Sequence, residues 1–119
     1  MAAPWPTASR NWGPRCCWWT WRALEVNLTA GFHLCQLFAP VLKHGPGGSI
    51  INIASIYGQW GPDYALYEDT AMANPAAYGA SKGGLIQFTR WLSTTLAPQV
   101  RANVISPGGV ARKIKDISQ

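Results

Sequence analysis

Tyr78 and Lys82 stand four residues apart in YGASK, within a stretch whose spacing predicts a helix. On a helix, residues i and i+4 lie one above the other on the same face. An ammonium beside a phenol favours the phenolate and lowers the phenol pKa from its usual value near ~10. A tyrosine tuned this way can give and take a proton near neutral pH. Tyr57, Tyr64 and Tyr67 have no lysine at the fourth following position, so the pairing singles out Tyr78. Y-x-x-x-K alone is a weak motif that chance supplies often. Its meaning rests on the elements that hold it.

Those elements can be read from residue 23 onward. Leu24, Leu28, Phe32, Cys35, Ala39 and Leu42 recur at helical spacing, and Leu34, Leu37, Phe38 and Val41 form a second apolar face. A helix over 24–43, apolar on two sides, is expected to be buried or to lie at a subunit contact. Pro40 is expected to kink or stop it. HGPGG (44–48) is a turn, and SIINIAS (49–55) reads as a short buried strand. Residues 56–74 form a long loop with three tyrosines, Gly58, Gly61 and Pro62. Asn74 followed by Pro75 predicts N-cap and first helical residue of a helix over 75–96, with Pro98 just beyond it. RANVIS (101–106) is a second short buried strand, broken by Pro107-Gly108-Gly109. The order helix, strand, loop, helix, strand predicts an α/β fold with a right-handed βαβ unit and parallel strands.

This order places three features on one sheet edge. Ser55 ends the first strand, Pro107-Gly108-Gly109 ends the second, and Asn27 is a polar residue within an apolar helical run. Singly, each has a plain reading as a turn residue, a turn, and a surface or hinge asparagine. Together they sit where open α/β sheets bind ligands, at the carboxyl ends of the strands.

With these pieces in place the sequence resembles the short-chain dehydrogenase/reductase family. The stretches that carry the resemblance are EVNLTAGF (25–32), GGSIINIASIYG (47–58), AAYGASKGGLIQFTR (76–90) and VRANVISPGG (100–109). They keep the family's order and cover most of residues 23–110. The resemblance implies the central fragment of a Rossmann-type doubly wound parallel sheet. It also implies a catalytic set of Asn27, Ser55, Tyr78 and Lys82, with NAD or NADP as cofactor and an alcohol or carbonyl as small-molecule substrate. In that set Tyr78 is the general acid/base. Lys82 lowers its pKa and binds the nicotinamide ribose, and Ser55 bonds the substrate oxygen. Asn27, at a helix distortion, holds a water linked to Lys82. Tyr78, Lys82, Pro107, Gly108 and Val110 form the cofactor-binding set. The helices 24–43 and 75–96 correspond to a common dimer contact, so a homo-oligomer is expected. The long loop after Ser55 is similar to a branch with flagellin-modification and nonulosonate-pathway oxidoreductases, or to a gluconate-dehydrogenase-like member. Its polar content suits a sugar derivative.

The family also has features without a counterpart here. Its strand followed by TGxxxGxG, which seats a pyrophosphate at a helix N-terminus, does not precede Asn27. GPGG (45–48) precedes a strand and reads as a turn. The last strand and substrate lid have no match. The chain is therefore expected to be a partial domain over 23–119. Two functional readings follow: a nicotinamide-dependent oxidoreductase, or a truncated non-catalytic chain that associates with itself or a full-length relative.

Composition sets the remaining bounds. Of 119 residues, 48% are apolar and 13% charged, a globular balance. The net charge of +5 lies at the ends: Arg10, Arg15 and Arg22 near one, and Arg112, Lys113 and Lys115 against Asp116 near the other. The middle is neutral, so no basic stripe for nucleic acid is expected. Residues 1–22 hold five of the seven tryptophans without any period and are expected to lie outside the fold. A tag, a mis-called start or an out-of-frame translation would explain them, and a tryptophan-rich binding arm is the alternative. Three cysteines without metal spacing predict reduced thiols and no metal. No apolar run reaches membrane-spanning length and no signal-peptide core is present, so a cytoplasmic protein is expected.

Overall fold

A computed structural model describes residues 20–63, 65 and 74–109. Residues 1–19 of the tryptophan-rich segment, residues 64 and 66–73 of the long loop, and residues 110–119, including Val110, lie outside the described residues. Residues 20–24 are helical and continue into one π-helical turn, Glu25–Thr29. Helix α1 follows over Ala30–His44. Residues 20–22, grouped by composition with the segment outside the fold, are thus part of this helical run.

Pro40 does not end α1, which runs on to His44. A proline forfeits one backbone bond and crowds the carbonyl four residues back. So close to the C-terminus only one further turn is at stake, and His44 Nδ1 closes it on the Pro40 carbonyl at 2.6 Å. The chain then turns through Gly47, whose φ of +117° is open to glycine and costly for other residues.

Strand β1 covers Gly48–Ile53 and β2 covers Val100–Ile105. They pair in parallel, Gly48 with Val100 through Ile53 with Ile105. Between them runs helix α2, Ala76–Thr95. The expected cap is displaced by one residue. Pro75, not Asn74, holds the N-cap position with extended ψ of 133°, and its carbonyl accepts from Tyr78 N–H at 2.9 Å. At the other end Leu96 N–H returns to the Leu92 carbonyl (2.9 Å) and Val100 N–H to the Leu96 carbonyl (3.0 Å), leading directly into β2.

The core lies between one sheet face and both helices. Cys35 from α1, Leu92 from α2, Leu96 and Val100 are buried together, with Ala39, Leu42, Ile50, Phe88 and Ala102 packed around them. Each fully buried Leu or Val contributes roughly 1.5–3 kcal/mol over an exposed one. One polar link crosses this face. Asn52 Nδ2 donates to Thr89 Oγ1 at 2.9 Å, and Thr89 Oγ1 donates to the Leu85 carbonyl at 2.8 Å. Both groups are satisfied, as buried polar atoms must be.

The strands are not buried on both faces, as the apolar runs suggested. Their burial alternates, and Ile51, Ile53 and Ile105 remain 58%, 52% and 50% exposed. Successive strand side chains point to opposite faces, and α1 and α2 both pack on the face that carries Ile50, Asn52 and Ala102. Among the described residues, no helix is long and apolar enough to cross a membrane.

Burial pushes the Cys35 thiol pKa up. The unfolded chain then loses that proton first as pH rises, so the folded state loses stability above the ordinary thiol range near ~8.5. Urea midpoints at neutral and alkaline pH should show a steeper fall for the wild type than for Cys35→Ala. Parallel curves would remove Cys35 as the cause.

Candidate active site

The site assembles where both strands end. The ladder continues past Ile53 and Ile105: Ala54 N–H donates to the Ile105 carbonyl (2.7 Å) and Ile56 N–H to the Pro107 carbonyl (3.1 Å). Ser55 and the Pro107-Gly108 turn therefore leave the sheet side by side at its carboxyl edge. Ser55 is buried, with extended backbone, and caps a short 3₁₀ turn, Ile56–Gly58. Tyr57 N–H donates to Ser55 Oγ at 3.2 Å. That bond occupies an oxygen lone pair and leaves the Ser55 O–H available to donate.

Tyr78 and Lys82 lie in the first two turns of α2. The Lys82 ammonium stands 5.8 Å from the centroid of the Tyr78 ring, at the outer reach of a cation–π contact. Its Nζ donates to the Ile53 carbonyl at 2.8 Å, two residues before Ser55. This bond ties the Y-x-x-x-K helix to the end of β1. An ammonium has three donors, so two remain for other acceptors.

Asn27 occupies the middle of the π-helical turn. Its Nδ2 donates to Ser81 Oγ at 3.1 Å, and Ser81 Oγ donates to the Tyr78 carbonyl at 2.8 Å. Asn27 is thus joined through Ser81 to the backbone that carries Tyr78. Ser81 is fully buried, with 0% exposure. It lies inside YGASK, but its small polar side chain between Ala80 and Lys82 marks no chemistry in the sequence. Its role is visible only once Asn27 is seen to meet it.

Asn27, Ser55, Tyr78, Lys82, Pro107 and Gly108 all belong to this one region, and Val110 lies outside the described residues. A cleft of about 320 Å³ opens beside it, lined by Tyr57, Trp60, Asn74, Pro75 and Gly79. None of Ser55, Tyr78 and Lys82 lines that cleft.

Lys82 Nζ reaches the end of β1, the edge at which Ser55 leaves the sheet. Among the described residues, a Cβ built on Gly109 would meet nothing within 4 Å. Ser106 Oγ is buried without a hydrogen-bond partner among the described residues. The glycine turn Gly45–Gly48 leads into β1 and so lies at the opposite, amino edge.

The family model for short chain dehydrogenases matches residues 19–117. A 7alpha-hydroxysteroid dehydrogenase of Bacteroides fragilis is 37% identical over 87 residues, covering 72% of this chain and 30% of its own length. The post-translational flagellin modification protein A of Campylobacter coli is 34% identical, covering 74% and 35%. Among solved structures, an NAD+-bound xylitol dehydrogenase superposes with a TM-score of 0.64 at 36% identity, covering 77% of this chain and 33% of that one. A short chain dehydrogenase from Shigella flexneri in complex with NADP gives 0.65 at 28% identity, covering 87% and 37%. The chain belongs to the short-chain dehydrogenase family, whose members adopt this α/β, Rossmann-type arrangement. It spans about a third of the length of the relatives it matches.

Ser81→Ala would strip Asn27 of its acceptor and leave a part-buried amide unpaired. A loss of about 1–3 kcal/mol is expected in urea denaturation. An unchanged midpoint would show that the Asn27–Ser81 bond contributes nothing.

Proposed function

We propose that this chain carries the proton-transfer site of an NAD(P)-dependent oxidoreductase that interconverts an alcohol and a carbonyl. The observation that carries the reading is the Lys82 Nζ bond to the Ile53 carbonyl at 2.8 Å. It brings the Tyr78–Lys82 helix to the edge that holds Ser55 and the Pro107-Gly108 turn.

In this reading the bound nicotinamide supplies or accepts the hydride. Tyr78 gives the proton to a carbonyl oxygen, or takes it from an alcohol. Ser55 donates its O–H to that same oxygen and holds it in place. The Lys82 ammonium stabilises charge on the Tyr78 oxygen and turns its spare donors to the cofactor ribose. Asn27 steadies the backbone under Tyr78 through Ser81. Pro107 and Gly108 would pack beside the nicotinamide, with Val110 joining them as the family resemblance implies. The loop after Ser55, with Asp63, Glu68 and Asp69 in its sequence, suits a polar substrate such as a sugar derivative. A cytoplasmic site of action belongs to the same reading.

Calorimetric titration of the purified chain with NAD(H) and NADP(H) should give micromolar binding to one of them. Tyr78→Phe should keep that binding and lose at least 100-fold in turnover. Near-normal turnover would reject proton transfer by Tyr78.

A second reading has its own observation. Leu34, Leu37, Phe38 and Val41 on α1 are 54–70% exposed, and Trp91 of α2 stacks on Phe88 with ring centroids 6.3 Å apart. An apolar strip of this kind is a typical association surface. Here the chain is non-catalytic and pairs through α1 and α2 with itself or a full-length relative. Sedimentation equilibrium should show a dimer that Leu37→Glu dissociates. A monomer at high concentration would exclude self-association, and absent cofactor binding alongside a stable dimer would favour this reading over the first.

A further inference from the structure

Gly58 follows Ser55 by three residues and sits at the end of the 3₁₀ turn. A turn glycine commonly serves a left-handed backbone. Gly58 does not: its φ lies outside that region, and the turn is one that any residue can adopt. The reason for glycine is contact. A Cβ at Gly58 would stand 2.7 Å from the Lys82 carbonyl carbon, 2.8 Å from Gly83 N and 2.9 Å from the Lys82 carbonyl oxygen. All three are backbone atoms of α2, so no side-chain rotation relieves the clash. The contact is closed from the helix side as well. A Cβ at Gly79 would come within 2.9 Å of the Tyr57 carbonyl, and one at Gly83 within 3.2 Å of the Gly58 carbonyl.

The turn that carries Ser55 therefore rests directly on the helix backbone between the first turn, which carries Tyr78, and Lys82. No side chain stands between them. Gly58 N–H also donates to the Ser55 carbonyl at 2.9 Å, so displacement of Gly58 is passed back to Ser55. We infer that Gly58 is a positioning residue: its lack of a side chain sets the separation of the Ser55 hydroxyl from Tyr78 and Lys82. Gly79 completes the same contact from α2. The consequence for turnover rests on the oxidoreductase reading above, whereas the placement of Ser55 does not.

The test compares Gly58→Ala with Gly61→Ala in the full chain. A Cβ at Gly61 meets nothing within 4 Å among the described residues, so it makes the same chemical change in the same loop without the contact. The first readout is reduction of diacetyl with NADH or NADPH. A shift of the order of 1 Å at reacting groups can cost about 100-fold. Gly58→Ala should lose ten- to 100-fold in kcat with KM for the cofactor within about threefold, and Gly61→Ala should match wild type. The second readout is amide hydrogen exchange, which needs no turnover. In Gly58→Ala the Ile56, Tyr57 and Gly58 amides should exchange at least tenfold faster, while those of β1 and of α2 beyond Gly84 keep wild-type protection. If Gly58→Ala fails to fold, Gly79→Ala, with its milder clash, should give the same pattern at lower amplitude. Variants at Gly58 and Gly79 that behave like Gly61→Ala overturn the inference. A wild type without turnover rejects the oxidoreductase reading, and the exchange pattern then decides the role of Gly58 alone.

Discussion

Everything at this site depends on the parallel register of two short strands. Gly48 faces Val100, Ile53 faces Ile105, and the pairing runs on through Ala54 and Ile56 to Pro107. Because the rungs advance one residue at a time, Ser55 and the Pro107-Gly108 turn must arrive together at the carboxyl edge. A slip of one residue would send every side chain of a strand to the other face. Asn52 would leave Thr89, Ile50 would leave the core, and the two strand ends would no longer coincide.

The helices are then referred to that edge by several contacts of different kinds. The Asn52–Thr89 bond and the apolar cluster around Leu92 set α2 against the inner face of the sheet. Lys82 reaches back to the Ile53 carbonyl, and the glycine contact seats the Ser55 turn on the backbone of α2. Asn27 adds the π-helical turn that precedes α1 to the assembly through Ser81. Polar groups that occupy one another in this way hold geometry more tightly than apolar packing, because a displaced partner leaves a buried atom unpaired.

Membership of the short-chain dehydrogenase family accounts for both the arrangement and what it leaves open. A parallel sheet is normally covered by helices on both faces. Here α1 and α2 cover one face, and Ile51, Ile53 and Ile105 stand exposed on the other. The outer side of α1 is apolar too. Two apolar surfaces, the outer sheet face and the outer side of α1, thus stand exposed among the described residues.

The local elements were legible in the sequence because their signals are local. Helical spacing marked α1, the Asn74-Pro75 start marked α2, short apolar runs marked both strands, and a spacing of four from Tyr78 to Lys82 is enough to place them on one helix face. Other features depended on meetings across the chain. Asn27 joins Ser81 from 54 residues away, so nothing near either residue announces the bond. The apolar strands read as buried on both faces, since composition does not tell which side a helix will cover. Pro40 reads as a stop, but a proline ends a helix only where several further turns would be lost. Gly58 reads as a loop glycine, and only the approach of Lys82 and Gly83 shows that it is kept small by a neighbour. The sequence by itself determined the elements, their order and the placing of Tyr78 and Lys82 on one helix. The tertiary structure alone decided which faces are covered and which backbones touch, because those follow from the shared packing of residues far apart in the chain.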